Sequence, residues 1–514
     1  MTKVIYIPLD ERACNYDFPK NLAKIAGDIE MILPPRSMMG FKKTPSDVKQ
    51  LWLWVFKEAA GCDYAILSVD MLIYGNLINS RIHQLTGNKC LERLSNFRQL
   101  KTFCPQIKIH AFSLVARVAG YDSSQEDPDY WASQGKNIWR YGMLLDKLQR
   151  KCASKEEENE KTALGNQIPP EYLSDFLKRR KADLLTNLTC VELVHDGIFD
   201  MLTIPKDDTA EFGYAAMDQA TIADKIRKLK LMNRVMVYPG ADEVGSVLFA
   251  RIFNLIHNYT PRIYVRYSST LGPSIVPKYE DRPLHESVKA QITSLGGILE
   301  DQAAQSDCLL AVNSPGKYMI ESHDQYDKDL SFSTHINMHE FLRYLSYYEY
   351  QYKKPIGLAE VSVCNGCENE FAVYANMTGT LEKISGFGGW NTAQNTIGLV
   401  LAQTILSGYF QDKKTCLHRQ NLQDEFTASA IVRDWLYQSN VLHSFYAYAK
   451  GCIDPYQLGD SYQSTVHYFT ENLQHLIREY FPHGYKGKKM MLDELSFDWD
   501  GVFYIRLHIS LHDF

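Results

Sequence analysis

Short apolar runs rich in β-branched residues recur along the chain, and each ends in a polar cluster before a helical stretch begins. Most of these runs are continuously apolar rather than alternating, which is typical of strands covered on both faces. Ten runs predict strands at Val4–Pro8, Met31–Leu33, Tyr64–Val69, Ile107–Leu114, Met201–Ile204, Val235–Tyr238, Ile263–Tyr267, Leu309–Val312, Ile356–Val361 and Leu381–Ile384. Strands separated by helices form right-handed βαβ units, so the pattern predicts the α/β class with mostly parallel sheets.

Two architectures are compatible with so many parallel strands: two doubly wound, Rossmann-like sheets or a single (β/α) barrel. The stretch 263–313 favours the first, because a strand, a helix and two further strands follow one another there as a compact β-α-β-β unit. We therefore predict two doubly wound sheets. A terminal β-hairpin formed by Glu494–Trp499 and Phe503–Leu511 completes the fold.

The same pattern predicts the domain organisation. We expect an N-terminal α/β domain at residues 1–215, a second α/β domain at 216–410, and a C-terminal helical region with the hairpin at 411–514 that packs on the second domain. Residues 121–195 interrupt the repeat with charged and proline-containing segments, which predicts a helical insertion or, in a sharper interpretation, a lid over a cleft. A length of 514 residues agrees with two or three domains.

Composition and charge narrow the class of protein. Hydrophobic residues make up 45% of the chain and charged residues 23%, which is typical of globular proteins. The net charge of −6 excludes a nucleic-acid binder that works through bulk positive charge. The apolar runs are too short to cross a membrane and the first residues lack a secretory signal, so we expect a cytoplasmic protein. The eleven scattered cysteines argue against a disulfide framework.

Polar residues follow the predicted strands at the edge where parallel α/β proteins bind their ligands. Asp10 and Arg12 follow the first strand, Asp70 follows the third, and Arg117 follows the fourth. Because parallel strands deliver their carboxyl ends to one side of a sheet, we expect these side chains to contribute to a common site.

Two pairs of adjacent carboxylates are the strongest candidates for catalysis. Asp207 and Asp208 repel each other, so they need a cationic partner or one of them must hold a proton at neutral pH. Asp242 and Glu243 follow Gly240, which permits close approach of a ligand, and an Asp-Glu pair suits general acid–base chemistry. For both pairs the structural alternative is an N-cap of the helix that follows.

A glycine-rich segment near residue 390 adds candidate binding groups. Two adjacent glycines allow close backbone approach, and Trp390 offers a flat face for stacking on a sugar. Asn391 and Asn395 provide amide hydrogen bonds on one face of a helix. Asn365 precedes a glycine and indicates either a ligand-binding amide or a turn. A buried Trp390 beside a capped helix is the structural alternative for this segment.

Basic residues in the middle of the chain are compatible with a local anion pocket despite the acidic total. Such a pocket would accept a phosphorylated substrate. The residues concerned are Arg234, Arg251, Arg262, Arg266, Arg282 and Lys317.

Five ordered motifs resemble the bacterial DUF4127 family: Pro8–Asp17, Ser68–Gly75, Lys206–Thr209, Tyr238–Gly245 and Gly389–Gly398. The resemblance extends from Val4 through the terminal hairpin and implies a cytosolic bacterial protein, but it leaves the activity open. A shorter stretch, residues 240–244, is similar to the Gly-Gly-Asp-Glu-Val stretch of family 20 β-hexosaminidases. That likeness implies that Glu243 is a general acid and that Asp242 orients the acetamido group of the substrate.

These features lead to the hypothesis of a glycoside hydrolase that acts on a small, N-acetylated or phosphorylated sugar. Glu243 would protonate the leaving oxygen, and Asp242 would orient the nucleophile. Asp207 or Asp208 would stabilise the oxocarbenium charge. The residues expected to bind the sugar are Asp10, Arg12, Asp70, Arg117, Asn365, Trp390, Asn391 and Asn395.

Two alternatives from other classes stay open. A divalent-metal-dependent hydrolase or sugar isomerase would use as oxygen ligands Asp70, Asp207, Asp208, Asp242 and Glu243. A non-catalytic sugar-binding protein would also place two α/β domains around a cleft. The leading hypothesis expects no cofactor and no metal site. It expects a small-molecule sugar as partner and neither nucleic acid nor membrane, and the sequence is compatible with a homo-oligomer.

Overall fold

A computed structural model describes residues 1–329, 332–411, 413 and 416–514. The chain forms two compact units. The first unit comprises Met1–Glu11, Glu30–Gly245 and Tyr279–Asp281, and the second comprises Arg12–Ile29, Ser246–Lys278 and Arg282–Phe514. Within the described ranges, no helix has both the length and the apolar character that crossing a lipid bilayer requires.

The first unit is built on a six-stranded sheet. Its strands are β1 (Thr2–Ile7), β2 (Ile29–Ile32), β3 (Tyr64–Ser68), β4 (Lys108–Phe112), β5 (Met201–Lys206) and β6 (Val235–Pro239). They lie in the order β2-β1-β3-β4-β5-β6, and the four pairs from β1–β3 to β5–β6 are parallel. Every residue of β3 and β5 is buried, as continuously apolar runs predict.

The second unit contains a five-stranded sheet. The strands of this region are β7 (Arg262–Tyr267), β8 (Ile298–Glu300), β9 (Cys308–Asn313), β10 (Ile320–Glu321), β11 (Ile356–Glu360), β12 (Val363–Cys364) and β13 (Gly386–Gly388). The sheet has the order β13-β11-β9-β7-β8, all parallel. The strands β10 and β12 form a separate short parallel pair.

Both sheets wind in the same way. In each, the first strand lies between the second and the third, so the order reverses between β1 and β3 and again between β7 and β9. This is the 2-1-3-4-5 order of a doubly wound sheet, whose ligands bind beyond the carboxyl ends of the strands. The prediction of two doubly wound sheets is confirmed, and the described residues form no closed barrel.

Helices connect the strands in both units. Up to the sixth strand they are α1 (Ala13–Ala26), α2 (Val48–Ala59), α3 (Val69–Tyr74), α4 (Leu77–Ile82), α5 (Gly87–Phe103), α6 (Trp131–Gln149), α7 (Lys155–Gln167), α8 (Pro170–His195) and α9 (Tyr214–Lys228). The consecutive helices α6 to α8 between β4 and β5 form the predicted insertion. Local signals set the boundaries: α2 begins after Asp47, whose carboxylate accepts hydrogen bonds from two backbone amides of the first turn.

The later helices belong mainly to the second unit. They are α10 (Val244–Ile256), α11 (Leu284–Ser294), α12 (Met338–Tyr352), α13 (Asn369–Met377), α14 (Ala393–Phe410), α15 (Leu417–Ile431), α16 (Leu442–Ala449) and α17 (Tyr462–Tyr480). A π-helix, Val432–Val441, joins α15 directly to α16. The chain ends in the predicted antiparallel hairpin, β14 (Lys489–Phe497) and β15 (Ile505–His512).

The tenth predicted strand is wrong, and the two-residue strands β10 and β12 were not predicted. Leu381–Ile384 forms turns, although Leu381 and Ile384 are buried in the core of the second unit. The strand lies two residues later, at Gly386–Gly388. A Cβ at Gly386 would lie 2.8 Å from Thr404 Oγ1 of α14, so this edge strand needs glycine to pack against the helix. Glycine carries no apolar side chain, and a search for apolar runs therefore misses it.

Candidate functional site

Pairing between the fourth and fifth strands continues past their ends and brings two predicted residues together. Val115 lies opposite Lys206 in an isolated parallel bridge. Two residues further along each segment, Arg117 Nη1 lies 3.3 Å from Asp208 Oδ2. The register of the sheet therefore assembles a pair that is 91 positions apart in the chain.

Two buried arginines hold an acidic cluster at this edge of the first sheet. Arg81, on α4, donates to Asp207 at 2.6 Å and to Glu126 at 2.9 Å. Arg117 also donates to Asp127 at 2.9 Å. The two arginine side chains are only 4% and 8% exposed, so their ion pairs are largely shielded from solvent. The arginine–carboxylate cluster comprises Arg81, Arg117, Glu126, Asp127, Asp207 and Asp208.

Asp208 is the more exposed of the two adjacent aspartates in this cluster. Its side chain is 31% exposed, against 10% for Asp207. Desolvation and the neighbouring Asp207 raise the pKa of Asp208 to about 6, against the opposing effect of Arg117. A partly exposed carboxyl group that titrates near neutral pH can exchange a proton with a substrate. Asp208 therefore has the properties of a general acid–base residue.

Asp70 lies at the same edge, in the first turn of α3. Burial is the main cause that raises its pKa to about 8, and the charges of Asp183 and Asp207 act in the same direction. Its Oδ2 accepts a hydrogen bond from Leu114 N at 2.9 Å. At neutral pH this carboxyl group is therefore protonated, and Asp70 is a neutral neighbour of the cluster rather than another ionised carboxylate.

In the second carboxylate pair, Glu243 folds back on its own loop. Glu243 is 2% exposed, and its Oε2 accepts a hydrogen bond from Ala241 N at 3.0 Å. Gly240 has a φ of 131°, and a Cβ there would lie 2.5 Å from Glu243 Oε1, so the glycine makes room for this carboxylate. Asp242 and Asp10, which follow β6 and β1, are buried at 7% and 1% exposure. Among these carboxylates, Asp208 is the most exposed to solvent.

A separate polar group lies at the carboxyl edge of the second sheet. Asn313 and Glu360 end β9 and β11 and are in register, and Asn313 Nδ2 donates to Glu360 Oε1 at 2.6 Å. Burial is the main cause that raises the pKa of Glu360 to about 8. Four buried polar atoms here have no hydrogen-bond partner among the described residues: Asn313 Oδ1, Ser362 Oγ, Trp390 Nε1 and Thr392 Oγ1. They follow three neighbouring strands, and we call them the unpaired polar group.

Trp390 and Arg12 lie in one aromatic cluster of the second unit. The guanidinium carbon of Arg12 lies 4.6 Å from the ring centre of Trp499 and 4.7 Å from that of Tyr504. The Trp390 ring contacts Tyr504 at 5.8 Å and Phe503 at 6.2 Å. The hairpin loop therefore packs against part of the Trp390 ring, and stacking of this ring on a sugar stays a prediction.

The three asparagines lie in the same unit. Asn365 N donates to Asn391 O at 3.1 Å, which joins the loop after β12 to the loop after β13. Both residues have positive φ, 58° and 71°, a conformation that asparagine tolerates well. Asn365 Nδ2 donates to Glu321 Oε2 at 2.9 Å, and Asn395 is buried on α14. Asn365 thus has a structural role in a turn, whether or not its amide also meets a ligand.

The π-helix holds the same two loops from one side. Asp434 Oδ2 accepts a hydrogen bond from Gly389 N at 3.0 Å. Ser439 Oγ accepts from Cys367 N at 2.6 Å. Residues five positions apart fall on one face of a π-helix because its hydrogen bonds run from i to i+5. The wide turn therefore lets one helix face bind two neighbouring loops.

A substitution at Gly389 tests how tightly these loops are packed. A Cβ at this position would lie 2.4 Å from Cys367 Sγ, inside a buried region. We expect Gly389→Ala to destabilise the protein by about 1–3 kcal/mol through overpacking, as measured by unfolding in urea. Gly379→Ala is unsuitable as a control because its φ is positive, whereas Gly61 has open space around it. A Gly61→Ala variant that loses as much stability as Gly389→Ala would contradict this explanation.

The described residues contain no group of three histidine, cysteine or acidic side chains placed to hold a metal ion. The predicted ligands Asp207 and Asp208 are bound by arginines instead. Three residues of the predicted anion pocket have partners within the second unit or the first. Arg262 is paired with Asp307, and both Arg234 and Arg251 donate to backbone carbonyl groups.

Sequence reasoning missed Arg81, Glu360 and the buried Lys206. Arg81 lies on a helix, 126 positions from its partner Asp207, and no local pattern connects them. Lys206 is fully buried and pairs with Asp281, with its Nζ also 2.8 Å from Gln219 Oε1. Glu360 ends β11 but is the penultimate residue of the predicted strand Ile356–Val361, so a rule that looks only past the end of a strand did not select it.

Two doubly wound sheets, each with a buried polar edge, define a two-unit α/β protein with candidate ligand sites at the strand ends. The chain belongs to the DUF4127 family, because the family model described as "Protein of unknown function (DUF4127)" matches residues 4–508. The resemblance seen in the sequence motifs is thus confirmed. Neither a curated protein nor a solved structure matches the chain.

Proposed function

We propose that the protein is a glycoside hydrolase whose acid–base chemistry is carried out by the arginine–carboxylate cluster of the first unit. The observation that carries this proposal is that two adjacent carboxylates have unequal environments. Asp208 is partly exposed and has a pKa of about 6, whereas Asp207 is bound by Arg81. Two carboxylates in unequal environments are the elements that glycoside hydrolysis requires.

Each carboxylate has a distinct role in this mechanism. Asp208 donates a proton to the glycosidic oxygen as the bond to the anomeric carbon breaks, and a water molecule then adds to that carbon and returns a proton to Asp208. Asp207, which accepts a hydrogen bond from Arg81 at 2.6 Å, stabilises the positive charge that develops on the sugar. This assignment replaces Glu243 as general acid, because Glu243 is 2% exposed and accepts a hydrogen bond within its own loop.

A panel of chromogenic glycosides, plain and 6-phosphorylated, tests the proposal. Asp208→Asn should lower kcat about 10²–10⁴-fold on substrates with poor leaving groups, and far less on activated ones that need no proton. As a control, Asp129→Asn removes a fully exposed carboxylate and should leave kcat unchanged. Absence of turnover on the whole panel, or equal losses on both classes of leaving group, would contradict the assignment.

The pH profile gives an independent check. Since a general acid must hold its proton, kcat/KM should fall as the pH rises through the pKa of Asp208, about 6. The descending limb should disappear or shift in Asp208→Asn. A wild-type profile that stays flat across this range would show that another group supplies the proton.

A second candidate function rests on the unpaired polar group of the second unit. Buried polar atoms rarely lack hydrogen-bond partners, so Asn313 Oδ1 and Ser362 Oγ suit the hydroxyl or amide groups of a bound sugar. In that case the protein is a sugar-binding protein without turnover. Titration of tryptophan fluorescence with the same sugars separates the two candidates, because only a binder shows saturation with no product.

A further inference from the structure

A basic cavity opens at the other edge of the second sheet. It has a volume of about 440 Å³ and includes Pro355 and Ser385, which directly precede β11 and β13. It therefore lies at the amino ends of these strands, away from Asn313 and Glu360. Five cationic side chains line it, with one carboxylate, Glu349: they are Lys353, Lys354, Lys383, Lys413 and Arg419.

None of these five cations forms an ion pair with any acidic side chain among the described residues. Lys354 Nζ donates to Ala304 O at 2.7 Å, and Lys383 Nζ donates to Ser346 Oγ at 3.2 Å. Lys413 Nζ lies 3.2 Å from the centre of the Tyr409 ring. Within the described part of the chain, no ion pair neutralises their charges. Several basic side chains elsewhere, such as Arg81 and Arg117, are paired with carboxylates.

Concentrating positive charge in one concave site is unfavourable without a counter-ion, because like charges at close range repel. The net charge of the whole chain is −6, so the group of basic residues in this cavity does not result from a basic overall composition. The geometry points to an anionic ligand with more than one charge. A single carboxylate or phosphate would neutralise only part of the set.

We propose that this basic cavity binds a small molecule that carries two or more linked phosphate groups. Lysine ammonium groups are common phosphate ligands, and the volume lies within the range of small-molecule sites. Tyr350, whose side chain is largely exposed at the rim, offers a ring for stacking if the ligand is a nucleotide. A nucleic acid would need an extended basic surface rather than one cavity.

This proposal is independent of the proposed glycosidase activity. The cavity contains no residue of the arginine–carboxylate cluster or of the unpaired polar group. Binding is therefore measured directly, by titration calorimetry at low salt, without any substrate. The probes are inorganic phosphate, pyrophosphate, tripolyphosphate and ATP.

We expect affinity to rise from phosphate to tripolyphosphate and to fall with added salt. Lys383→Gln and Lys413→Gln should each weaken tripolyphosphate binding about tenfold, and the double variant should weaken it further. The matched control is Lys49→Gln, which removes an exposed lysine of the first unit. If ATP binds more tightly than tripolyphosphate and this difference is lost in Tyr350→Ala, the result supports a nucleotide ligand. Equal affinities for ATP and tripolyphosphate support recognition of the phosphate chain alone.

Three results would overturn the proposal. The first is no binding of tripolyphosphate to the wild type at millimolar concentrations. The second is wild-type affinity in the double variant, with folding verified by unfolding in urea, or an equal loss in Lys49→Gln. The third is tighter binding of an oligo-glutamate peptide than of tripolyphosphate, which would indicate an acidic protein segment as the ligand.

Discussion

Replacing Arg81 with methionine should destabilise the protein by about 3–5 kcal/mol at neutral pH. Arg81 is 4% exposed and pairs with both Asp207 and Glu126. Methionine keeps the apolar stem but removes the charge, so Asp207 loses its ion pair with Arg81 and Glu126 keeps only the one with Arg117, at 3.2 Å. Leaving a buried charge unpaired costs far more than losing an exposed ion pair. The measurement is the free energy of unfolding in urea.

The exposed pair of Arg98 with Asp196 provides the control. Their side chains are 48% and 38% exposed, so Arg98→Met should cost less than about 1 kcal/mol. The double variant Arg81→Met/Asp207→Asn should recover part of the loss, because the carboxylate of Asp207, which Arg81 pairs with, is gone as well. If Arg81→Met costs no more than Arg98→Met, the arginine–carboxylate cluster does not contribute to stability in this way.

The second large effect concerns the pH dependence of stability at Asp70. Its folded-state pKa is raised to about 8, whereas an unfolded aspartate has a pKa of about 3.9. Below the pKa of the unfolded state, both the folded and the unfolded protein hold the proton. Burial of the neutral carboxyl group then carries no ionisation penalty. As the pH rises toward 8 the unfolded state alone ionises, so this contribution to stability is lost.

Asp70→Asn removes the titration while keeping an acceptor for Leu114 N. At a pH of about 9 the variant should be more stable than the wild type by about 3–5 kcal/mol, and at a pH of about 4 the two should be nearly equal. Urea unfolding across this pH range gives the comparison, with Asp129→Asn as the exposed control. A wild type that gains stability relative to Asp70→Asn as the pH rises would contradict a proton-bound Asp70.

Much of the fold follows from apolar runs, because a strand covered on both faces must be apolar along its whole length. The runs near residues 64 and 201 correspond to β3 and β5, in which every residue is buried. The strand Gly386–Gly388 escaped detection because α14 packs so closely on it that side chains are excluded. A run of apolar residues indicates buried side chains. A strand made mostly of glycine has few side chains, so it does not produce such a run.

Only part of the candidate site could be predicted from the sequence. The strand-end rule placed Arg117, Asp70 and Asp208 at one edge, and the sheet register brings Arg117 to Asp208. Arg81 could not be found in this way, because a helix supplies it and only tertiary packing brings it to Asp207. Trp390 was selected from the sequence, but its packing could not be predicted. An aromatic side chain after a strand indicates ring surface, but not whether other rings of the chain already cover it.

The ten-residue π-helix, Val432–Val441, has a consequence for which changes of length the chain tolerates. In an α-helix, positions five apart would be rotated by about 140° from each other, so Asp434 and Ser439 could not reach Gly389 and Cys367 from one face. Deleting a single residue between them would leave them four positions apart, a spacing that stays near one face only if the segment winds as an α-helix, where the two would be rotated by about 40°. Homologues that keep both loop contacts should therefore combine either a five-residue spacing with a π-helix or a four-residue spacing with an α-helix.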